Sequence, residues 1–122
     1  MTTIVTDQGF GPDDWTGPVT DLASDADQDA LQAALDAQLI RIDFPSFADG
    51  RGFTLARRLR LMGYQGHLRA QGHVLADQYA MARRSGFDDV QINADLAARQ
   101  PEDQWISRAD WQAHHYQARL RG

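Results

Sequence analysis

The feature that most restricts the fold is a change of period that recurs between residues 39 and 100. Leu39 to Phe44 alternates, with Ile40, Ile42 and Phe44 on one face and Arg41 and Asp43 on the other. His67 to Ala70 and Asp89 to Ile92 repeat that alternation, and each run is followed by residues at helical spacing. Phe53 to Met62 carries Leu55, Ala56, Leu59 and Met62 as an apolar stripe and ends at Gly63 and Gly66. Val74 to Ser85 places Val74, Gln78, Met81 and Ala82 on one side and ends at Gly86, while Asn93 caps a further helical stretch, Ala94 to Arg99. Strands separated by helices of this length pair in parallel through right-handed crossovers.

The expected fold class is therefore α/β. It comprises a small parallel sheet of about three strands, centred near Ile42, Leu68 and Val90, with crossover helices on one face. Parity sends Ile40, Ile42, Phe44, Leu68, Ala70, Val90 and Ile92 toward the helices, and Arg41, Asp43, His67, Arg69, Gln91 and Asn93 to the opposite side. A sheet covered on both faces by helices would show continuous apolar runs instead. The pattern resembles an arc of a βα barrel, whose polar face is covered by the N-terminal arm, the C-terminus or a second chain. The expected core is Ile42, Phe44, Leu59, Leu68, Met81, Phe87 and Ile92.

A chain of 122 residues makes one domain. Residues 1–24 read as an arm in which Ile4 and Val5 form a short strand and Gly9, Gly11, Pro12, Gly17 and Pro18 interrupt the rest. Residues 25–100 are the βα core, opening with a helix capped by Ser24 and running to about Ala37. Residues 101–122 form a C-terminal extension with Trp105, Trp111 and the run His114-His115-Tyr116-Gln117. No apolar run approaches the roughly 18 residues needed to span a bilayer, and no basic segment followed by an apolar one opens the chain. A cytoplasmic protein without a membrane partner is expected.

The absence of cysteine removes disulfides, thiol redox chemistry, zinc–thiolate sites and ordinary iron–sulfur ligation. No His-x-x-x-His pair or carboxylate cluster predicts a metal site. Ser46, Ser85 and Ser107 lie in no nucleophilic elbow. Gly50-Arg51-Gly52 is not continued as a dinucleotide fingerprint, since Leu55 stands where the third glycine belongs, and a phosphate-binding Walker loop would need a lysine. No cofactor site is evident, and whether the chain is an enzyme is left open.

Charge is distributed unevenly. All twelve basic residues are arginine, residues 1–36 hold eight aspartates and no base, and between Arg51 and Arg84 seven arginines face a single acid, Asp77. Such asymmetry marks a basic surface that meets a partner or an anion, whereas the net charge of −5 argues against a nucleic-acid partner.

Ligands of parallel α/β folds bind outside the carboxyl ends of the strands. Pro45 to Gly52, Gln71 to Asp77 and Asn93 to Asp95 occupy that edge. Two readings stand for the first loop: an anion site built from Asp49, Gly50, Arg51, Gly52 and the helix that follows, or a plain turn with Asp49 bonded locally. Asp43 and Arg69 likewise read as a structural ion pair or as an acid beside a substrate-binding arginine. The amide of Gln78, on an apolar stripe, needs a partner such as a backbone carbonyl. His73 opens a helix and is a titratable candidate; Asp77 completes the set of anion- or partner-binding candidates.

The stretch from Phe44-Pro45-Ser46-Phe47-Ala48-Asp49-Gly50-Arg51-Gly52 through Phe53-Thr54-Leu55-Ala56-Arg57-Arg58-Leu59-Arg60 resembles the hallmark of a bacterial family. Gly63-Tyr64-Gln65-Gly66-His67-Leu68-Arg69-Ala70, Val74-Leu75-Ala76-Asp77-Gln78 and Arg83-Arg84-Ser85-Gly86-Phe87-Asp88 follow in order. Together they resemble the domain-of-unknown-function family nine-three-four, whose members carry an oxidoreductase assignment in sulfite reduction. The resemblance is strong over residues 39 to 92 and weak in the tail; the N-terminal region is shorter than the family's, and the apolar stretch before Tyr116-Gln117 is missing. It implies an accessory protein of assimilatory sulfite reduction that docks on sulfite reductase or its electron donor. A small oxidoreductase holding sulfite or a related oxyanion, and a purely structural or self-associating subunit, are the alternatives.

Overall fold

The computed structural model describes residues 2–112. Six strands form one sheet: β1 (Thr2–Thr6), β2 (Gly9–Gly11), β3 (Thr20–Leu22), β4 (Leu39–Phe44), β5 (His67–Gly72) and β6 (Asp89–Asn93). Five α-helices accompany them among the described residues: α1 (Gln28–Ala33), α2 (Arg51–Leu61), α3 (Tyr79–Ser85), α4 (Ala94–Arg99) and α5 (Glu102–Ile106). The strand order is β2-β1-β6-β5-β4-β3. The segment β3–β6 is parallel, each strand beside its sequence neighbour, as the crossovers demand. At the other end β1 is antiparallel to β6, and β2 to β1.

The three expected strands are present and mutually parallel, but the sheet is twice as large and mixed, because the arm is folded into it. Thr20-Asp21-Leu22 is too short to show alternation, and β2 is Gly-Phe-Gly, which lacks a strand-like composition altogether. Helix boundaries also differ from expectation, α1 ending at Ala33 and not near Ala37. Asp27, not Ser24, caps α1, its carboxylate accepting from the Ala30 N–H at 2.9 Å. The helix expected from Val74 is a 3₁₀ turn, Ala76–Gln78, followed by α3. Asn93 caps α4 as the sequence suggested, and Gly86, at φ 119°, ends α3 in the left-handed conformation.

The apolar face of the parallel strands meets Leu31 of α1, Leu55 and Leu59 of α2, Tyr79 and Ala82 of α3, Leu96 of α4 and Trp105 of α5 in one core. Ile42, Phe44, Leu59, Leu68, Phe87 and Ile92 are buried; Met81 is 52% exposed. The 3₁₀ turn resets the helical phase, so that Tyr79, Ala82 and Ser85 face inward and Met81 and Arg84 face out.

α2 rests on β4 through a contact that only glycine permits. A Cβ on Gly52 would stand 2.5 Å from the ring of Phe44. Gly52→Ala is therefore expected to destabilise the fold by about 1–3 kcal/mol, as overpacking of a core does, read as a lower urea midpoint at unchanged m-value. A midpoint equal to wild type would show that the helix shifts freely on the sheet.

Candidate functional site

The carboxyl edge of the parallel strands gathers the loop after β4, the turn after β5 and the start of α4. In the first loop the Asp49 carboxylate takes two side-chain hydrogen bonds from Arg51, Nε to Oδ1 at 3.0 Å and Nη2 to Oδ2 at 2.8 Å, and one from the Arg51 backbone N–H at 3.1 Å. These bonds hold the Asp49 carboxyl well below the usual carboxylate range. Arg51 Nη2 also reaches Ser24 Oγ at 3.0 Å. The guanidinium fork expected to hold an anion is occupied by the loop's own acid. Gly50 is the N-cap of α2, and Gly52 serves helix-to-strand packing. The local-turn reading is the one the geometry favours.

Asp43 and Arg69 do not pair. The register sets Arg41 opposite Arg69 and Asp43 opposite Gln71. Arg69, 5% exposed, binds Asp89 through Nε at 2.9 Å and Nη2 at 3.2 Å, and Asp13 of the arm through Nη1 at 3.3 Å. Asp89, 4% exposed, also accepts from His67 Nε2 at 2.8 Å. Burial pushes the Asp89 carboxyl up, but hydrogen bonds from His67 and Arg69 outweigh it and leave it depressed. Arg41 binds Asp21 of β3 and Gln91 of β6. The polar face is thus neutralised from within the chain, and Trp15 covers part of it, its ring centroid 5.8 Å from that of His67. Asp43 is exposed and makes no ion pair among the described residues.

The Asp89 hydrogen bond raises the His67 imidazole above its ordinary value of 6.5, against the opposing effect of burial. A raised folded-state value means that the contribution is complete below about pH 6.5 and lost as pH rises through the folded value. The thermal midpoint of wild type relative to His67→Gln is expected to shrink across that interval. A difference constant with pH would contradict the assignment.

His73 anchors at the edge, its Nδ1 3.1 Å from the Phe44 carbonyl; since that oxygen only accepts, Nδ1 carries the proton. The ring meets Phe47 edge-on at 5.0 Å. His73 lines a cleft of about 190 Å³ with Phe47, Gly72, Asn93, Asp95 and Arg99. Asp77 lies away from it, exposed and paired with Arg108 at 2.7 Å. Gln78 satisfies its amide locally: Nε2 donates to the Phe47 carbonyl and Oε1 accepts from the Leu75 N–H.

The charge asymmetry is partly an internal matter. Asp7, Asp13 and Asp21 from the acidic N-terminal third are counter-ions of Arg83, Arg69 and Arg41. Asp7 also accepts from Tyr79 at 2.5 Å and from Trp111 at 3.4 Å. Burial and this acid push the Tyr79 phenol up. Among the ten described arginines, Arg57, Arg58, Arg84 and Arg99 have no carboxylate partner. Arg58 donates to Gln28 and Arg84 to the Trp111 carbonyl, while the side chains of Arg57 and Arg99 make no hydrogen bond among the described residues. Arg57, Phe47, Phe53, Gln78 and Met81 line a groove of about 450 Å³ where α2 and α3 meet the loop after β4. Phe47 is 40% exposed. The sequence reading missed this groove because it placed Met81 in the core; the arginines were visible, but not which of them are already spent.

Among the described residues no three His, Asp or Glu side chains converge to hold a metal ion, and no helix is long and apolar enough to cross a membrane. The run His114 to Gln117 lies outside the described residues. Residues 20–122 match the family described as bacterial protein of unknown function (DUF934), and the chain belongs to that family. No curated protein and no solved structure matches it.

Proposed function

We propose that the chain is an accessory protein that docks on a macromolecular partner through its arginine-bearing α2–α3 surface. The observation that carries this reading is that Arg57 and Arg84, beside exposed Phe47 and Met81, have no carboxylate partner among the described residues, whereas six of the ten described arginines are paired with an acid. Exposed apolar side chains next to uncompensated cations favour an acidic protein surface. The family resemblance supplies the candidate: sulfite reductase or its electron donor, in the cytoplasm, with this chain bringing no cofactor of its own. Purified sulfite reductase should co-elute with the wild-type chain at low salt, and Arg57→Glu with Arg84→Glu should abolish co-elution with little change in the thermal midpoint, since both side chains are exposed and the one tie between them and the fold among the described residues is a long bond, 3.4 Å, from Arg84 to the Trp111 carbonyl. Co-elution that survives charge reversal would remove the arginines from the reading.

A second reading rests on Arg99. An arginine whose side chain makes no hydrogen bond among the described residues, in a cleft with His73 at the strands' carboxyl edge, suits a small oxyanion such as sulfite. Asp95 in the same lining opposes it by charge, so docking is the reading preferred.

A further inference from the structure

We infer that the groove between α2 and α3 receives an amphipathic acidic helix of the partner, its apolar side chains seated against Phe47, Phe53 and Met81 and its carboxylates meeting Arg57. The inference rests on the docking reading and specifies its occupant. The groove is apolar at its base, where Phe53 is 8% exposed, and Phe47 and Met81 form its walls. Met81 is unbranched and polarizable, a side chain that adapts to the shape of what it meets. No acid lines the groove, and Arg57 on α2, which does line it, has no carboxylate partner among the described residues; Arg84 lines a neighbouring concavity together with Asp77 and Asp110.

The backbone decides what kind of segment fits. The two walls supplied by α2 and α3 are helical, and the sheet's edges are β2 and β3, so an incoming strand finds no ladder here to extend. A segment that buries apolar side chains in such a groove must satisfy its own main-chain groups, which a helix does. Apolar residues at i, i+3, i+4 and i+7 with acids on the flanks match a groove of this composition.

A second copy of the chain is a poorer occupant. Its acidic surface around Asp25, Asp27 and Asp29 presents no exposed large apolar side chain, so it offers charge without anchors. A lipid surface is poorer too, because the apolar side chains line a concavity instead of projecting from the surface.

The test is fluorescence anisotropy with a labelled synthetic helical peptide bearing leucine at i, i+3, i+4 and i+7 and glutamate elsewhere on its flanks. A scrambled peptide of the same composition is the control. The wild-type chain is expected to bind the amphipathic peptide and to bind the scrambled one at least about tenfold more weakly. Met81→Asp and Arg57→Glu should each weaken binding by about tenfold or more, whereas Leu61→Asp, 81% exposed and outside the groove, should leave it unchanged. All three positions are exposed, so unaltered circular dichroism is expected, and Phe47→Ser provides a second groove variant.

Equal binding of the scrambled peptide, or binding indifferent to both groove variants, would overturn the inference. So would a wild-type dimer that Met81→Asp dissociates, or anionic vesicles that bind in place of the peptide. Should purified sulfite reductase bind with an affinity indifferent to Met81→Asp, the groove assignment falls and docking stands. Should the peptide bind as expected and the reductase not, the groove stands and the sulfite-reduction reading falls.

Discussion

Arg69→Ala is expected to cost about 3–5 kcal/mol of stability, because removing one partner of a buried pair leaves an uncompensated charge. The charge left behind belongs to Asp89, whose carboxylate would keep only His67 as a side-chain partner. The loss would also release Asp13, and with it one tie between the arm and the sheet. Urea denaturation checks the magnitude. The double replacement Arg69→Met with Asp89→Leu separates pairing from burial: apolar side chains of similar volume should cost far less than the single change. A single variant as stable as wild type would mean that water reaches Asp89 readily and that the polar face is not the closed network described.

Phe44→Ala should be comparably damaging, about 3–5 kcal/mol, as truncation of a fully buried phenylalanine is. Its ring is 1% exposed, with the Phe53 and Phe87 ring centroids 4.9 and 5.8 Å away and Gly52 against its edge. Loss of the ring would open a cavity between β4 and the start of α2, beneath the loop that carries Phe47. The groove should therefore lose definition together with stability, which a combined denaturation and peptide-binding measurement would register. A Phe44→Ala protein with a wild-type midpoint would place the core elsewhere.

Where the chain alternates for four residues or more, its fold was legible: β4, β5 and β6 have both faces written in their sequences. β2 and β3 were not legible, because three residues carry too little pattern and their place is set by pairing with β1 and β4. The Asp43–Arg69 pairing failed for a reason the parity contained. Asp89 shares a face with Gln91, and the register brings it beside Arg69, whereas Asp43 lies beside Gln71. Met81 was misplaced because no local signal announced that the helix would start anew at Tyr79 after a 3₁₀ turn. Charge counts showed that the chain separates acids from arginines, but only the folded arm reveals that Asp7, Asp13 and Asp21 answer Arg83, Arg69 and Arg41. What survives that internal pairing is the small set of arginines on which the functional reading rests.

The account turns on whether those remaining arginines recognise acid in a partner. The direct measurement is the dissociation constant of purified sulfite reductase for the wild-type chain and for the Arg57→Glu, Arg84→Glu variant, taken across a salt series from about 0.05 to 0.5 M, a range over which exposed charges become screened. Wild-type affinity is expected to fall steadily as salt rises, and the variant should bind weakly at every salt concentration, with both proteins melting at the same temperature. Equal affinities with equal salt dependence, or no wild-type binding at the lowest salt, would contradict the account.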